Sequence, residues 1–137
     1  MSRSAAGRLL VVDDDETILR LFSAALGREG YEVATAATGR DGLRLAAETS
    51  ADVVLLDVNL PDLSGVEVMH QIVKTTMAAV ILITGDSAHY SRQWAVRQGA
   101  ADFLVKPVPL YELVLRIKQA RQAGDKESGT PGQGAPR

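Results

Sequence analysis

Five short runs of apolar residues punctuate the chain, and a stretch with helical spacing follows each of them. "RLLVV" (8–12), "DVVLLD" (52–57), "AVILIT" (79–84) and "DFLVK" (102–106) are nearly continuous in Leu, Ile, Val and Phe. Such runs predict strands buried on both faces, as in a parallel sheet. "YEVATA" (31–36) differs. Tyr31, Val33 and Thr35 alternate with Glu32 and Ala34, the pattern of a half-exposed edge strand.

The intervening stretches read as amphipathic helices. Residues 16–28 place Ile18, Leu19, Phe22, Ala25 and Leu26 on one stripe, with Arg20 and Arg28 outside it. A short helix over 40–48 has Thr38 as its N-cap. The segment 64–74 opens with Ser64 and Glu67 at capping-box spacing. A fourth helix over 88–98 stops at Gly99. A fifth, over 109–122, begins with Pro109 at the first helical position, where proline is tolerated. Strand–helix alternation with short loops predicts an α/β fold: a doubly wound, five-stranded parallel sheet with five helices on its two faces, a three-layer α/β/α sandwich. Ligands of such sheets bind outside the carboxyl ends of the strands, where the strand order reverses.

The domain so defined spans residues 8–122, after an N-terminal extension of residues 1–7. The last stretch, "AGDKESGTPGQGAPR" (123–137), is Gly, Pro and polar, and predicts a disordered tail or a truncated linker. Composition narrows the function. The net charge of -2 carries no basic footprint for nucleic acid or an anionic membrane. The chain has no cysteine, which excludes disulfides, a thiolate zinc site and a cysteine nucleophile. No apolar stretch approaches the ~18 residues of a membrane span, and no signal-peptide pattern follows "MSRSAAGR". A cytoplasmic location is expected.

The chemistry lies where the strands end. The first strand runs into Asp13, Asp14 and Asp15. The third ends at Asp57, the fourth at Thr84 and the fifth at Lys106. A doubly wound sheet would bring these carboxylates, a hydroxyl and an ammonium to one rim. Crowded carboxylates repel, and a hard divalent cation such as Mg2+ relieves that repulsion, being commonly held by one or two carboxylates and a phosphate. Lys106 adds a donor for a phosphoryl oxygen, Thr84 could bond another, and a carboxylate can itself attack phosphorus.

"VVDDDET", "VVLLDVNLPDLSG", "ILITGD" and "GAADFLVKP" together resemble the receiver domains of two-component response regulators, over about residues 8–122. The resemblance implies the strand order 2-1-3-4-5. It implies that Asp57 is the phosphoacceptor, taking a phosphoryl group from a sensor histidine kinase or a phosphotransfer protein. It implies Mg2+, with Mn2+ as a substitute, held by Asp14, by Asp57, by the main-chain carbonyl of Asn59 and, through water, by Asp13. Lys106 would contact the phosphoryl group. Thr84 and Phe103 would be the switch pair, Asn59 and Asp86 would tune dephosphorylation, and Lys106–Pro107 would be a cis bond. Phosphorylation would then alter the surface of helix 4, strand 5 and helix 5, which meets an output domain, a downstream protein or a second copy of the chain, with transcription as one output. Such a switch is not an enzyme in the ordinary sense. Gly85 stands where Ala is more usual and leaves room for the phosphoryl group.

Plainer roles compete at several positions. Asp15 is expected to be the N-cap of the first helix, and Asp62 a solvated turn residue after Pro61. Phe103 could be static core. His70 and His89 are expected on solvated helix faces, and Tyr90 and Trp94, four apart, to share a face of helix 4. A haloacid-dehalogenase-type phosphatase would carry Asp where Asn59 stands. A dinucleotide-binding domain would want glycines in place of "DDDET". A degenerate receiver, used only for binding, would have lost part of the Asp/Asp/Asp/Thr/Lys set.

Overall fold

The apolar runs do form a sheet. The structure, a computed structural model, describes residues 6–86 and 89–129. Strands β1 (Arg8–Val12), β2 (Glu32–Ala36), β3 (Val53–Asp57), β4 (Ala79–Thr84) and β5 (Asp102–Val105) alternate with helices α1 (Glu16–Arg28), α2 (Gly39–Thr49), α3 (Gly65–Thr75), α4 (Arg92–Gln98) and α5 (Leu110–Gly129). All pairings are parallel and the order is β2-β1-β3-β4-β5.

Period-two alternation sorts the strand side chains into two cores. Leu10, Val12, Val54, Leu56, Val80, Leu82 and Phe103 face one side, where they meet Ala46 of α2, Met69 and Ile72 of α3 and Ala95 of α4. Leu9, Val11, Val53, Leu55, Ile81, Ile83 and Leu104 face the other, against Leu19, Phe22 and Leu26 of α1 and Leu113 and Ile117 of α5. Each fully buried Leu, Ile or Val contributes about 1.5–3 kcal/mol over leaving it in water. That is why the three central strands read as unbroken apolar runs. On β2, which has a partner on one edge only, Glu32 and Thr35 are exposed.

The chain steps from β1 outward to β2, then reverses through β3 to β5. The reversal lies between β1 and β3, whose register pairs Val12 with Leu56. Asp13 and Asp57 therefore leave the sheet side by side, at the crevice where such folds bind ligands.

Local signals set the helix starts. Asp15 accepts hydrogen bonds from the Thr17 and Ile18 N–H groups, Thr38 from Asp41 and Ser64 from Val66. Beyond one-residue shifts at β2, β3, β5, α2 and α3, three helix boundaries differ from expectation. The Pro109 carbonyl accepts from Glu112 N and Leu113 N, both at 3.0 Å, so Pro109 caps α5 instead of opening it. The helix α4 starts only at Arg92, after the cap Ser91, which leaves His89 and Tyr90 in the preceding turn. Helix α5 runs through Gly129, past the expected end at 122. Once nucleated, a helix gains one hydrogen bond for each residue it fixes, and Ala123, Lys126 and Glu127 are good formers. Residues 130–137 of the expected tail, and 1–5 of the extension, lie outside the described residues.

Candidate functional site

Three loops at the β1/β3 crevice supply its charges. Asp13 and Asp57 are buried, with 4% and 7% of their surface exposed, whereas Asp14 is exposed. One carboxylate oxygen from each of the three lies within 4.8 Å of the others. Backbone N–H groups orient two of them: Asp13 Oδ1 accepts from Asp15 N and Asp57 Oδ1 from Asn59 N, each at 2.9 Å. The outer oxygens face Lys106. Its Nζ donates to Asp13 Oδ2 at 2.8 Å and to Asp57 Oδ2 at 3.2 Å.

The electrostatics follow from burial. Asp57 is held above the ordinary carboxylate range, first by desolvation and then by the neighbouring Asp13 charge; the Asn59 N–H and Lys106 oppose the rise. Burial works against the Lys106 charge, but the hydrogen bond to Asp13 and the two carboxylate charges outweigh it and hold the ammonium above its usual range. The site thus holds two buried negative charges and one positive charge, with a third carboxylate at the mouth. A hard, oxygen-seeking cation fits that donor set, since it would offset the uncompensated charge and accept these ligands.

The remaining expected residues occupy the same rim or its flank. Thr84 is fully buried, and its Oγ1 accepts from Asp86 N at 2.9 Å. Asn59, two residues after Asp57, begins the loop that leads to α3. Phe103 is buried at 7% exposure in the core under α3 and α4, so its ring already lies inside. Lys106–Pro107 is a cis peptide bond. A Cβ at Gly85 would meet nothing within 4 Å among the described residues. Of the two histidines, His70 is exposed on α3. The exposed His89 pairs with the carboxylate of Asp86 at 2.8 Å, a partner its place in the sequence did not suggest.

Three residues matter more than their sequence context indicated. Gly65 packs so closely on β3's exit that a Cβ would collide with the Asp57 carbonyl and stand 2.7 Å from Val58 Cα. Only glycine lets α3 start there, and the motif "LSG" was the available signal. Asp62 is not a free turn residue. Its carboxylate bonds two N–H groups at the start of α2. Asp102 is buried on β5 between Arg92 of α4 and Arg116 of α5, with both contacts at 2.6 Å. An acid next to a strand's first apolar residue gives no hint of two arginine partners.

Comparison with known proteins decides the family. The sequence profile of the response regulator receiver domain matches residues 9–118. The chain belongs to the response-regulator receiver family. The receiver is 38% identical over 120 residues to the transcriptional regulatory protein AfsQ1 of Streptomyces coelicolor, covering 88% of this chain and 53% of that protein. It is also 38% identical to the protein PilH of Pseudomonas aeruginosa, covering 85% of this chain and 98% of PilH. A CheY-like receiver domain from Methanospirillum hungatei superposes with a TM-score of 0.82 at 33% identity, over 88% of this chain and 98% of that one. The receiver thus spans about half the length of several curated regulators and nearly all of PilH. It is a signalling domain of two-component systems, with the five-stranded 2-1-3-4-5 fold of that family.

Proposed function

We propose that Asp57 is the phosphoacceptor of this receiver and that the phosphoryl group comes from a phosphohistidine on a sensor kinase or phosphotransfer protein. The arrangement that carries this reading is the Lys106 ammonium set between Asp13 and Asp57, with Asp14 within ligand distance of both. A carboxylate oxygen of Asp57 attacks phosphorus, the P–N bond to the donor imidazole breaks, and the imidazole leaves with its electron pair. Phosphoryl transfer demands mostly positioning and charge neutralisation. Lys106 neutralises one phosphoryl oxygen, and the Asn59 N–H fixes the attacking carboxylate through its other oxygen. Asp14, Asp57 and the Asn59 carbonyl would hold Mg2+, or Mn2+ in its place, with Asp13 acting through water. The bound cation supplies further neutralisation of the phosphoryl oxygens.

The phosphoryl group adds charge, about -1.5 to -2 on the scale of other phosphorylated side chains. Thr84 offers its hydroxyl from a fully buried position at the end of β4, and Phe103 lies one strand away on β5. A shift of Thr84 toward the phosphoryl oxygens, with Phe103 adjusting, biases the surface of α4, β5 and α5. That surface carries exposed apolar side chains suited to a protein partner: Val96, Val105, Tyr111 and Leu115 are 51%, 41%, 79% and 51% exposed. An output domain, a downstream protein or a second receiver would dock there, transcriptional control being one output; the domain itself contacts neither nucleic acid nor membrane. Water attack on phosphorus, with Asp57 leaving, ends the signal, and Asn59 and Asp86 flank its approach. The system operates in the cytoplasm.

Intact mass after incubation with acetyl phosphate tests the reading. A single Mg2+-dependent phosphoryl adduct is expected on the wild type and none on Asp57→Asn. No adduct on folded wild type, together with no stable beryllofluoride complex, overturns it.

A further inference from the structure

We propose that Asp62 is a positioning residue for this site: its carboxylate straps the loop after β3 to the start of α2 and so holds the Asn59 carbonyl where Mg2+ needs it. The inference rests on the proposed function of the site.

The loop is closed at its base. Gly65 N donates to the Val58 carbonyl at 2.8 Å, and Asn59 and Ser64 form an isolated antiparallel bridge. Leu60 and Leu63 pack half-buried against the core, while Pro61, Asp62 and Ser64 are exposed. The polar tip between the two leucines is tied by a contact 23 residues away in sequence. Asp62 Oδ1 accepts from Gly39 N at 2.7 Å, and Oδ2 accepts from Arg40 N at 3.1 Å.

The two sides are built for each other. The first N–H groups of a helix have no partner within it, and the N-cap Thr38 takes that of Asp41 through its hydroxyl and that of Gly42 through its carbonyl. Asp62 takes the other two, and its negative charge sits at the positive end of the α2 dipole. These N–H bonds, that of Gly39 first, hold the Asp62 carboxyl below the usual carboxylate range. Gly39 makes the approach possible. A Cβ there would stand 3.1 Å from Asp62 Oδ1 and from Leu63 Cβ, and 3.0 Å from Val68 Cγ2. The same loop presents Asn59 three residues earlier. Asn59 is itself paired with Ser64 at the base, so a loosened tip acts by disturbing that pairing and with it the Asn59 carbonyl, a ligand that can be held in place only through its backbone.

The test compares wild type with Asp62→Ala, Asp62→Asn, Gly39→Ala and Thr38→Ala, each as the full chain. Affinity for Mg2+ alone is measured by calorimetry, and Tm is measured without Mg2+. Asp62→Ala should weaken Mg2+ binding roughly tenfold, the scale seen when a group supporting a metal ligand is removed. Asp62→Asn, which keeps an acceptor for Gly39 N, should recover most of the loss. Thr38→Ala removes an α2 cap without touching the loop, and should lower Tm while leaving Mg2+ affinity unchanged. Gly39→Ala crowds Asp62 Oδ1 and Leu63 from the α2 side and should weaken Mg2+ binding in the same direction, which keeps the test decisive if Asp62→Ala does not fold. Unchanged Mg2+ affinity in Asp62→Ala and Gly39→Ala, or an equal loss in Thr38→Ala, overturns the strap. Failure of the wild type to bind Mg2+ overturns instead the reading of the site on which it rests.

Discussion

Lys106 Nζ and Asp13 Oδ2 lie 2.8 Å apart across 93 residues of sequence, and the same ammonium reaches Asp57. One lysine at the end of the fifth strand thus joins two buried acids from the first and third strands. Replacing it with Met removes the charge and keeps most of the packing. Lys106→Met leaves Asp13 and Asp57 facing each other unrelieved, and in Mg2+-free buffer it should cost about 1–3 kcal/mol in urea unfolding. That is below the loss for a fully buried pair, because the lysine is 24% exposed. Its phosphorylation by acetyl phosphate should fall at least tenfold.

Asp57 has a pH signature with a definite sign. Its carboxyl titrates above the ordinary range in the folded chain because burial disfavours the anion. In the window between the unfolded and folded values, the folded state binds more protons than the unfolded one. The favourable contribution of this group is therefore complete below the unfolded value, about 3.9, and is lost as pH rises through the folded one. Asp57→Asn lacks this loss. Without Mg2+, the Tm advantage of Asp57→Asn over wild type should be larger at pH 7 than at pH 4. A constant difference between the two pH values counts against the buried carboxylate as its source.

Gly65 permits no side chain. A Cβ there would collide with the Asp57 carbonyl and crowd Val58. Since these are backbone atoms, relief requires the loop or α3 to move. Gly65→Ala should cost about 1–3 kcal/mol, as overpacked sites do, and should reduce phosphoryl transfer by displacing Asp57 and Asn59. Gly85→Ala is the matching control. Its Cβ would meet nothing within 4 Å among the described residues, and unfolding should change by less than about 0.5 kcal/mol.

Asp102 joins α4, β5 and α5. Asp102→Ala leaves the Arg116 guanidinium, only 20% exposed, without its main partner, and removes the carboxylate oxygen that Phe103 N bonds. A loss of about 2–4 kcal/mol is expected in urea unfolding. Arg92, 57% exposed, can return to water, so Arg92→Ala should cost under about 1 kcal/mol. Similar losses in both variants would show that Arg92, not Arg116, is the principal partner.

Local pattern is enough to place the elements and the chemistry at their ends. Apolar runs buried on both faces mark strands covered by helices on both sides, so β1, β3, β4 and β5 are legible, and the alternation of Tyr31, Val33 and Thr35 with Glu32 and Ala34 marks β2 as an edge; that β5 is the opposite edge is not legible in its run. Asp13, Asp14, Asp57, Thr84 and Lys106 stood out because each follows such a run, and strand ends in this topology share one rim. Where local chemistry sets the structure, as in the caps Asp15, Thr38 and Ser64, sequence was enough. Tertiary structure alone decided the long-range partners. Asp62 reads locally as a turn residue because its ligands, the N–H groups of Gly39 and Arg40, belong to another helix. Asp102 reads as a strand-edge acid because its two arginines arrive from α4 and α5. The extension of α5 past residue 122 depended on cooperative propagation from a helix already docked by Leu113 and Ile117. Periodicity reports which face of an element is buried; it cannot report which charged group from elsewhere in the chain will meet it there.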